Sequence, residues 1–143
     1  MTRPLHVYVA GSSDEMDRAV RWMTALTDAG IVVTSTWAAN IAAVGAANPR
    51  DASVEDRASW SRTCRSQIDD CHVLWLLVPA VGHGRGAYLE LGHALAIGRY
   101  TYSSGDTKQS IFASLTVEHT ADDDAFAAIV KLSTWLDNAT LNR

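Results

Sequence analysis

The residue that is best suited to chemistry is Glu90, which follows a glycine-rich segment at 79–86 and lies about one turn into a predicted helix. Its neighbours Ala87, Leu89 and Leu91 are apolar. A carboxylate among apolar neighbours beside a ligand crevice is a candidate nucleophile or general base, because its surroundings tune its reactivity. The residues alone leave one alternative open, a solvated glutamate that the dipole favours in a first helical turn.

The cysteines and histidines do not predict a metal centre. Cys64 and Cys71 are the two cysteines, and their spacing matches neither a metal motif nor a redox motif, so free thiols are expected. His93 follows Glu90 by three residues on a helix. A single pair of this kind without further ligands does not usually hold a metal ion. No metal site and no cofactor are therefore predicted.

Composition is that of an ordinary globular protein. The chain has 143 residues, of which 48% are hydrophobic and 20% charged, and it is expected to form one domain over residues 1–143. A net charge of −4 with scattered basic residues disfavours nucleic acid or an anionic membrane as the main partner. The longest apolar stretch, 73–80, is too short to span a bilayer. Because no signal-like segment opens the sequence, a cytoplasmic, reducing location is expected.

The elements that must position these residues alternate between strands and helices. Strands are predicted at 5–10, 31–34, 72–78, 100–102 and 116–119, and helices at 14–28, 53–69, 87–97 and 122–136. Residues 36–52 are expected to form a mobile loop that includes one helical turn, and 110–115 a single helical turn. The unbroken apolar run at 72–78 indicates a central parallel strand.

This alternation predicts an α/β, flavodoxin-like, doubly wound fold with helices on both faces of its sheet. The sheet should have five mainly parallel strands in the order 2-1-3-4-5. Ligands bind such sheets beyond the carboxyl ends of the strands, where the strand order reverses. Here the segments at 11–15 and 79–86 should flank that point, and their glycines and serines allow close approach to a ligand.

Three segments together resemble the nucleoside 2-deoxyribosyltransferase family. They are VYVAGS at 7–12, LLVP at 76–79 and GRGAYLELGHALAIG at 84–98. The most specific pattern is G-x-x-x-E-L-G-x-A-x-x-x-G, formed by Gly86, Glu90, Leu91, Gly92, Ala94 and Gly98. The resemblance covers about residues 5–100. It implies cleavage of an N-glycosidic bond, or base transfer, on a nucleoside or nucleotide.

The resemblance also implies roles for individual residues. Glu90 would attack the anomeric carbon and form a glycosyl ester, as in retaining glycosidases. Tyr8 would orient the carboxylate or the sugar, and the alternative for it is an aromatic residue of the core. Gly11 and Ser12 would contact the sugar or its 5′ substituent.

Further contacts are expected around the same crevice. Arg85 and Gly86 lie in the glycine-rich segment, and His83 could touch a base or simply be a solvated loop residue. Trp37 is a candidate for stacking on the base. Related enzymes complete their sites with a segment of a neighbouring subunit, so a homodimer or higher homo-oligomer is expected, with Ser110 as the donated residue.

One departure from the family pattern bears on activity. The family usually carries an aspartate eight residues before the start of the central strand, which helps to protonate the leaving base or to hold the sugar. This chain has Cys64 there, and the resemblance implies that Cys64 faces the same crevice as Glu90. A thiol is not an acid of moderate pKa, and Asp69 and Asp70 lie about 140° and 240° further round the helix. An inactive or weak nucleoside-binding module of the same fold is therefore the second hypothesis. A purely structural flavodoxin-like subunit is the third.

A second departure bears on the substrate. Family nucleotide hydrolases place small and basic residues after the first strand to hold a 5′-phosphate, where this chain has Asp14 and Glu15. Unless these carboxylates point outward, they would repel a phosphate, although Arg85 could compensate. A substrate without a phosphomonoester is expected.

Overall fold

The continuous apolar run near the middle of the chain forms the central strand. In a computed structural model that describes residues 4–44 and 51–141, every residue of Val73–Leu77 is buried. The strands are β1 (His6–Ala10), β2 (Val32–Val33), β3 (Val73–Leu77), β4 (Tyr100–Ser104) and β5 (Val117–His119). The helices are α1 (Met16–Asp28), α2 (Trp37–Val44), α3 (Val54–Asp69), α4 (Arg85–Ala96) and α5 (Asp122–Leu141). Short 3₁₀ turns occupy Ser13–Glu15, Thr107–Gln109 and Ile111–Leu115.

The described residues build one five-stranded sheet in the order β2-β1-β3-β4-β5. Each neighbouring pair of strands is parallel. The predicted doubly wound fold and its strand order are thus confirmed. The strand order reverses between β1 and β3, so the carboxyl ends of these two strands flank the crevice where such folds bind ligands.

Helices cover both faces of the sheet. Successive side chains of a strand point to opposite faces: Tyr8 of β1 contacts Glu90 of α4 on one face. The next residue, Val9, pairs with Trp75, whose ring lies 5.5 Å from that of Trp22 in α1. Among the helices, α3 contacts α4, and α1 contacts α5. No helix within 4–44 and 51–141 combines the length and apolar character needed to cross a membrane.

The main difference from the sequence prediction lies in residues 36–52, where the prediction of a mobile loop is wrong. The segment forms the helix α2, because Trp37, Ala38 and Ile41 are buried in the core at helical spacing. Residues 45–50, which belong to the same predicted loop, lie outside the described residues. Tertiary burial here overrides the weak signal of a segment made of small residues.

Smaller differences concern the ends of elements. The helix α4 begins at Arg85 instead of 87, and α5 continues to Leu141, beyond the predicted 136. The strand β4 extends to Ser104, and the turn predicted at 110–115 is a 3₁₀ turn. The start of α3 is as predicted, since the hydroxyl of Ser53 accepts a hydrogen bond from the Asp56 amide at 3.0 Å.

A polar network ties the carboxyl edge of the sheet to two helices. Arg18 of α1 donates two hydrogen bonds to the Asp122 carboxylate of α5, at 2.8 and 2.7 Å, and one to the Val78 carbonyl at 2.7 Å. Asp122 also accepts hydrogen bonds from Trp22 and Ser104. Burial alone would raise the pKa of Asp122, but the bonds from Arg18 and Ser104 and the charge of Arg18 lower it below its ordinary value.

We expect Asp122→Asn to lower the free energy of unfolding by roughly 1–3 kcal/mol at neutral pH, since the pair is largely but not fully buried. Because the pKa of Asp122 is lower in the folded chain, its contribution is present above the ordinary aspartate pKa and is lost as the pH falls through the folded value. Urea unfolding at neutral and acidic pH measures both effects. The exposed residue Asp123 provides the control variant Asp123→Asn. An equal cost for the two variants at neutral pH would contradict the assignment.

Candidate active site

A cavity of about 360 Å³ lies at the carboxyl ends of β1 and β3. It is enclosed by the segment after β1, the start of α2, the glycine-rich segment and the first turns of α4. Its lining residues are Gly11, Ser12, Ser13, Asp14, Trp37, Ile41, Gly82, His83, Gly84, Arg85, Gly86, Ala87 and Glu90. The cavity therefore lies where the strand order reverses, as the fold predicts.

Glu90 lies in the wall of this cavity and is paired with Tyr8. The Tyr8 hydroxyl donates a hydrogen bond to Oε2 of Glu90. Tyr8 is fully buried in β1, whereas Glu90 is partly exposed toward the cavity. Because Oε2 is engaged by the phenol, Oε1 is the oxygen left to approach a ligand.

The surroundings shift the acidity of both groups. Burial raises the pKa of Glu90 to about 7, although the hydrogen bond from Tyr8 acts in the opposite direction. Burial, followed by the neighbouring Glu90 carboxylate, raises the pKa of the Tyr8 hydroxyl well above its ordinary range. Near neutral pH the pair thus contains a neutral phenol and a glutamate that is divided between its two protonation states.

Cys64 of α3 completes this group of side chains. Its thiol interacts with the Tyr8 hydroxyl and lies close enough to Glu90 to feel its charge. Burial raises the pKa of the thiol, and the Glu90 carboxylate raises it further, whereas the interaction with Tyr8 lowers it. The structure therefore brings Cys64 to the same carboxylate as Tyr8, as the resemblance implied for this position.

The glycine-rich segment requires glycine at two positions. Gly82 and Gly84 have φ angles of 77° and 60°, in the left-handed region that side chains disfavour. A Cβ atom at Gly82 would collide with the Asp14 carboxylate, and one at Gly84 with the ring of Pro79. The segment is also held by Glu15, which accepts a hydrogen bond from the Ala80 amide at 2.9 Å.

Trp37 and Ser12 are fixed by hydrogen bonds to backbone. The indole of Trp37 donates to the Val9 carbonyl at 2.9 Å, and 8% of the residue remains exposed. The Ser12 hydroxyl accepts from the Asp14 amide at 3.1 Å, which leaves its own proton free to be donated. Both line the cavity with Gly11, so all three lie where a substrate contact was predicted.

Three groups that carry or can carry charge surround the cavity besides Glu90. Asp14 is exposed, and its carboxylate packs against Gly82 at the cavity lining. His83 and Arg85 are also exposed there. The carboxylate of Glu15, by contrast, is directed to the Ala80 amide and to Arg18. Of the two acidic residues after β1, Asp14 is therefore the one whose charge would act on a ligand in the cavity.

Sequence reasoning missed Ile41, because it treated the segment around it as a loop. The spacing of Trp37, Ala38 and Ile41 was the signal that could have placed this helix at the cavity. Gly82 was included only as part of the glycine-rich segment, and its contact with Asp14 has no signature in the sequence.

Several candidates lie away from the cavity. Ser110 caps the turn Ile111–Leu115 by accepting from the Phe112 amide at 3.2 Å, and it does not line the cavity. His93 contacts the Asp69 carboxylate at 2.7 Å. Within 4–44 and 51–141 there is no cluster of three or more histidine, cysteine or acidic side chains that could hold a metal ion.

A second, larger opening of about 900 Å³ adjoins the cavity. This apolar groove lies between α3 and α4, and it shares Arg85, Gly86 and Glu90 with the cavity. Its other lining residues are Ser61, Arg62, Cys64, Arg65, Ile68, Tyr88, Leu89, Leu91, Gly92, His93, Leu95 and Phe112. Glu90 thus lies at the boundary between the cavity and a groove that is more apolar.

No model of a known protein family matches this chain, and a search of curated proteins also found no match.

We expect Tyr8→Phe to raise the pKa of Glu90 above about 7, because the variant removes the hydrogen bond that favours the carboxylate. Titration of the ¹³C-labelled glutamate carboxyl by NMR measures the shift. The control is Tyr102→Phe, which removes the hydroxyl of a half-buried tyrosine in β4, remote from the pair. An unchanged Glu90 pKa in Tyr8→Phe would show that the hydrogen bond does not stabilise the carboxylate.

Proposed function

We propose that this protein cleaves the N-glycosidic bond of a nucleoside-type substrate, or transfers the base, with Glu90 as the nucleophile. The observation that carries the proposal is the pairing of Tyr8 with Glu90 in the wall of the cavity. A partly buried carboxylate with one oxygen held and the other free suits attack on an electrophilic carbon. The resemblance of the segment from Gly86 to Gly98 to nucleoside 2-deoxyribosyltransferases supports the same reaction.

The chemistry follows the two steps of a retaining glycosidase. Oε1 of Glu90 attacks the anomeric carbon, and the electron pair of the glycosidic bond moves to the nitrogen of the departing base. Water or a second base then attacks the same carbon and gives up a proton that, through solvent, neutralises the departed base, and the ester oxygen leaves as the Glu90 carboxylate. Tyr8 keeps the carboxylate in one orientation throughout, which reduces the entropy cost of attack.

The cavity favours a substrate without a phosphomonoester. Gly11 and Ser12 offer backbone and a hydroxyl to the sugar, and the indole of Trp37, which lines the cavity, would contact the base. The Asp14 carboxylate at the lining would repel a phosphate dianion, whereas Arg85 lies exposed at the edge. The free thiols of Cys64 and Cys71 suit a reducing, cytoplasmic compartment.

Cys64 also favours a second candidate, a nucleoside-binding module without turnover. The thiol stands where related enzymes carry a carboxylic acid, and its pKa is raised instead of lowered. Incubation with a panel of nucleosides and nucleotides, followed by chromatography of free base, distinguishes the two functions. Release of base supports the enzyme, whereas a ligand-induced rise in melting temperature without release supports the binding module.

We expect Glu90→Ala to reduce kcat/KM by about 10³-fold or more, because loss of a covalent nucleophile removes the reaction path. In the wild type, activity should rise with pH through about 7 and then level off, since only the ionised carboxylate attacks. The exposed Glu118 of β5 supplies the control variant Glu118→Ala. Retained turnover in Glu90→Ala would remove this residue from the mechanism.

We further propose that the functional form is a homodimer or higher homo-oligomer in which the apolar groove is covered by a second copy of the chain. Large apolar side chains beside the groove are exposed, with Leu89 at 78%, Ile111 at 80% and Phe112 at 56%. An exposed patch of this kind suits a protein interface. Ser110 lies next to these residues and away from its own cavity, so it could reach a site only in another subunit.

We expect sedimentation at micromolar concentration to show a species of at least two chains. Leu89→Asp should shift the equilibrium toward the monomer, because it places a charge in the apolar patch that the second copy would bury. The exposed Val20 of α1, 47% accessible on the other side of the sheet, gives the control Val20→Asp. A wild-type monomer under these conditions would contradict the assembly.

A further inference from the structure

Expulsion of a base places an electron pair on its ring nitrogen. A neutral purine or pyrimidine becomes an anion unless an acid supplies a proton, and such assistance is commonly worth about 10²–10⁴-fold in rate. A base whose ring already carries a positive charge leaves as a neutral molecule and requires no proton. The groups next to Glu90 therefore determine which class of base the site can expel.

Those groups are poor acids. The Tyr8 hydroxyl already donates its proton to Glu90. The thiol of Cys64 is partly buried against the same pair. Burial raises the pKa values of both residues, so neither releases a proton near neutral pH. The position from which an acid would protonate a neutral leaving base is thus occupied by Cys64, whose thiol cannot supply that proton.

The cavity also suits a cation. It contains a second carboxylate, that of Asp14, and the indole of Trp37, whose face attracts positive charge. Arg85, a cationic residue among those that line the cavity, is exposed at the first turn of α4, where water and salt screen its charge. His83 lies in the same lining and is the competing source of a proton.

We infer that the preferred substrates are N-glycosides whose base carries a fixed positive charge, such as pyridinium nucleosides and N7-alkylated purine nucleosides. The inference rests on the proposed function and adds the class of leaving group. Oε1 of Glu90 forms a bond to the anomeric carbon, the bond from that carbon to the cationic nitrogen breaks, and its electron pair neutralises the ring. Water then attacks the anomeric carbon of the glycosyl ester, the bond from that carbon to Oε1 breaks, a proton of the water passes to solvent, and Glu90 is regenerated as a carboxylate.

A matched pair of substrates tests the inference with the wild-type protein. Guanosine and 7-methylguanosine differ by one methyl group and a positive charge, and N2-methylguanosine adds a methyl group without the charge. We expect kcat/KM for 7-methylguanosine to exceed that for either uncharged nucleoside by about 10²-fold or more, which is the range of the missing acid. A ribosyl pyridinium carboxamide should also be cleaved, and Glu90→Ala should abolish both reactions.

Variants identify the groups responsible. Asp14→Asn should raise KM for 7-methylguanosine several-fold more than KM for guanosine, while Asp17→Asn, an exposed carboxylate of α1 outside the cavity, serves as the control. Cys64→Asp should reduce the preference for the cation by about 10-fold or more, because it supplies an acid to the neutral base.

Two results would overturn the inference while leaving the proposed function intact. One is equal kcat/KM for guanosine and 7-methylguanosine in the wild type. The other is efficient cleavage of guanosine by the wild type, together with a His83→Ala variant that no longer cleaves guanosine but still cleaves 7-methylguanosine. That result would identify His83 as the acid. Failure of all substrates to release base would overturn the proposed function together with the inference.

Discussion

The buried hydroxyl of Tyr8 is the constraint on which the arrangement of the site depends. Tyr8 is fully enclosed in the middle of the sheet, where an unpaired hydroxyl would be costly. The partner that satisfies it, Glu90, lies 82 residues away in the chain. This bond therefore links α4 directly to β1, in addition to the packing of the buried side chains of α4. It also holds a carboxylate in surroundings that disfavour its charge, so the requirement of folding and the reactivity of the site have the same origin.

On the face of the sheet opposite the pair of Tyr8 and Glu90, charged side chains of α1 and α5 hold the carboxyl edge together. Arg18 links α1 to α5 through Asp122 and to the end of β3 through the Val78 carbonyl. Glu15, one turn before Arg18, accepts a hydrogen bond from the Ala80 amide in the glycine-rich segment that follows β3. The start of the glycine-rich segment is thus positioned by the turn that precedes α1. Further along the segment, Gly82 lies against the carboxylate of Asp14, which belongs to the same turn. Both loops of the cavity are therefore attached to the short turn that precedes α1.

The sequence allowed the strand order and the location of Glu90 to be predicted because both depend on strong local patterns. The apolar run of β3 can only be central, and a motif that follows such a strand must lie at the crevice. The helix α2 was harder to predict, since only the spacing of Trp37, Ala38 and Ile41 indicates a helix in this alanine-rich segment, and the burial of these residues depends on tertiary packing. The pair of Arg18 and Asp122 was equally invisible, because the residues are 104 positions apart and each alone resembles a solvated helical residue. The proximity of Cys64 to Glu90 followed from the family resemblance and not from spacing.

The two left-handed glycines have a consequence for how this protein can diverge. Gly82 and Gly84 admit no side chain without displacing Asp14 or Pro79, whereas His83 between them is exposed and lines the cavity. A population of variants would therefore retain glycine at both flanking positions and accept many residues at the position between them. Heritable change in this loop is confined to one side chain presented on a constant backbone, so that new ligand preferences can arise there without a new fold of the loop.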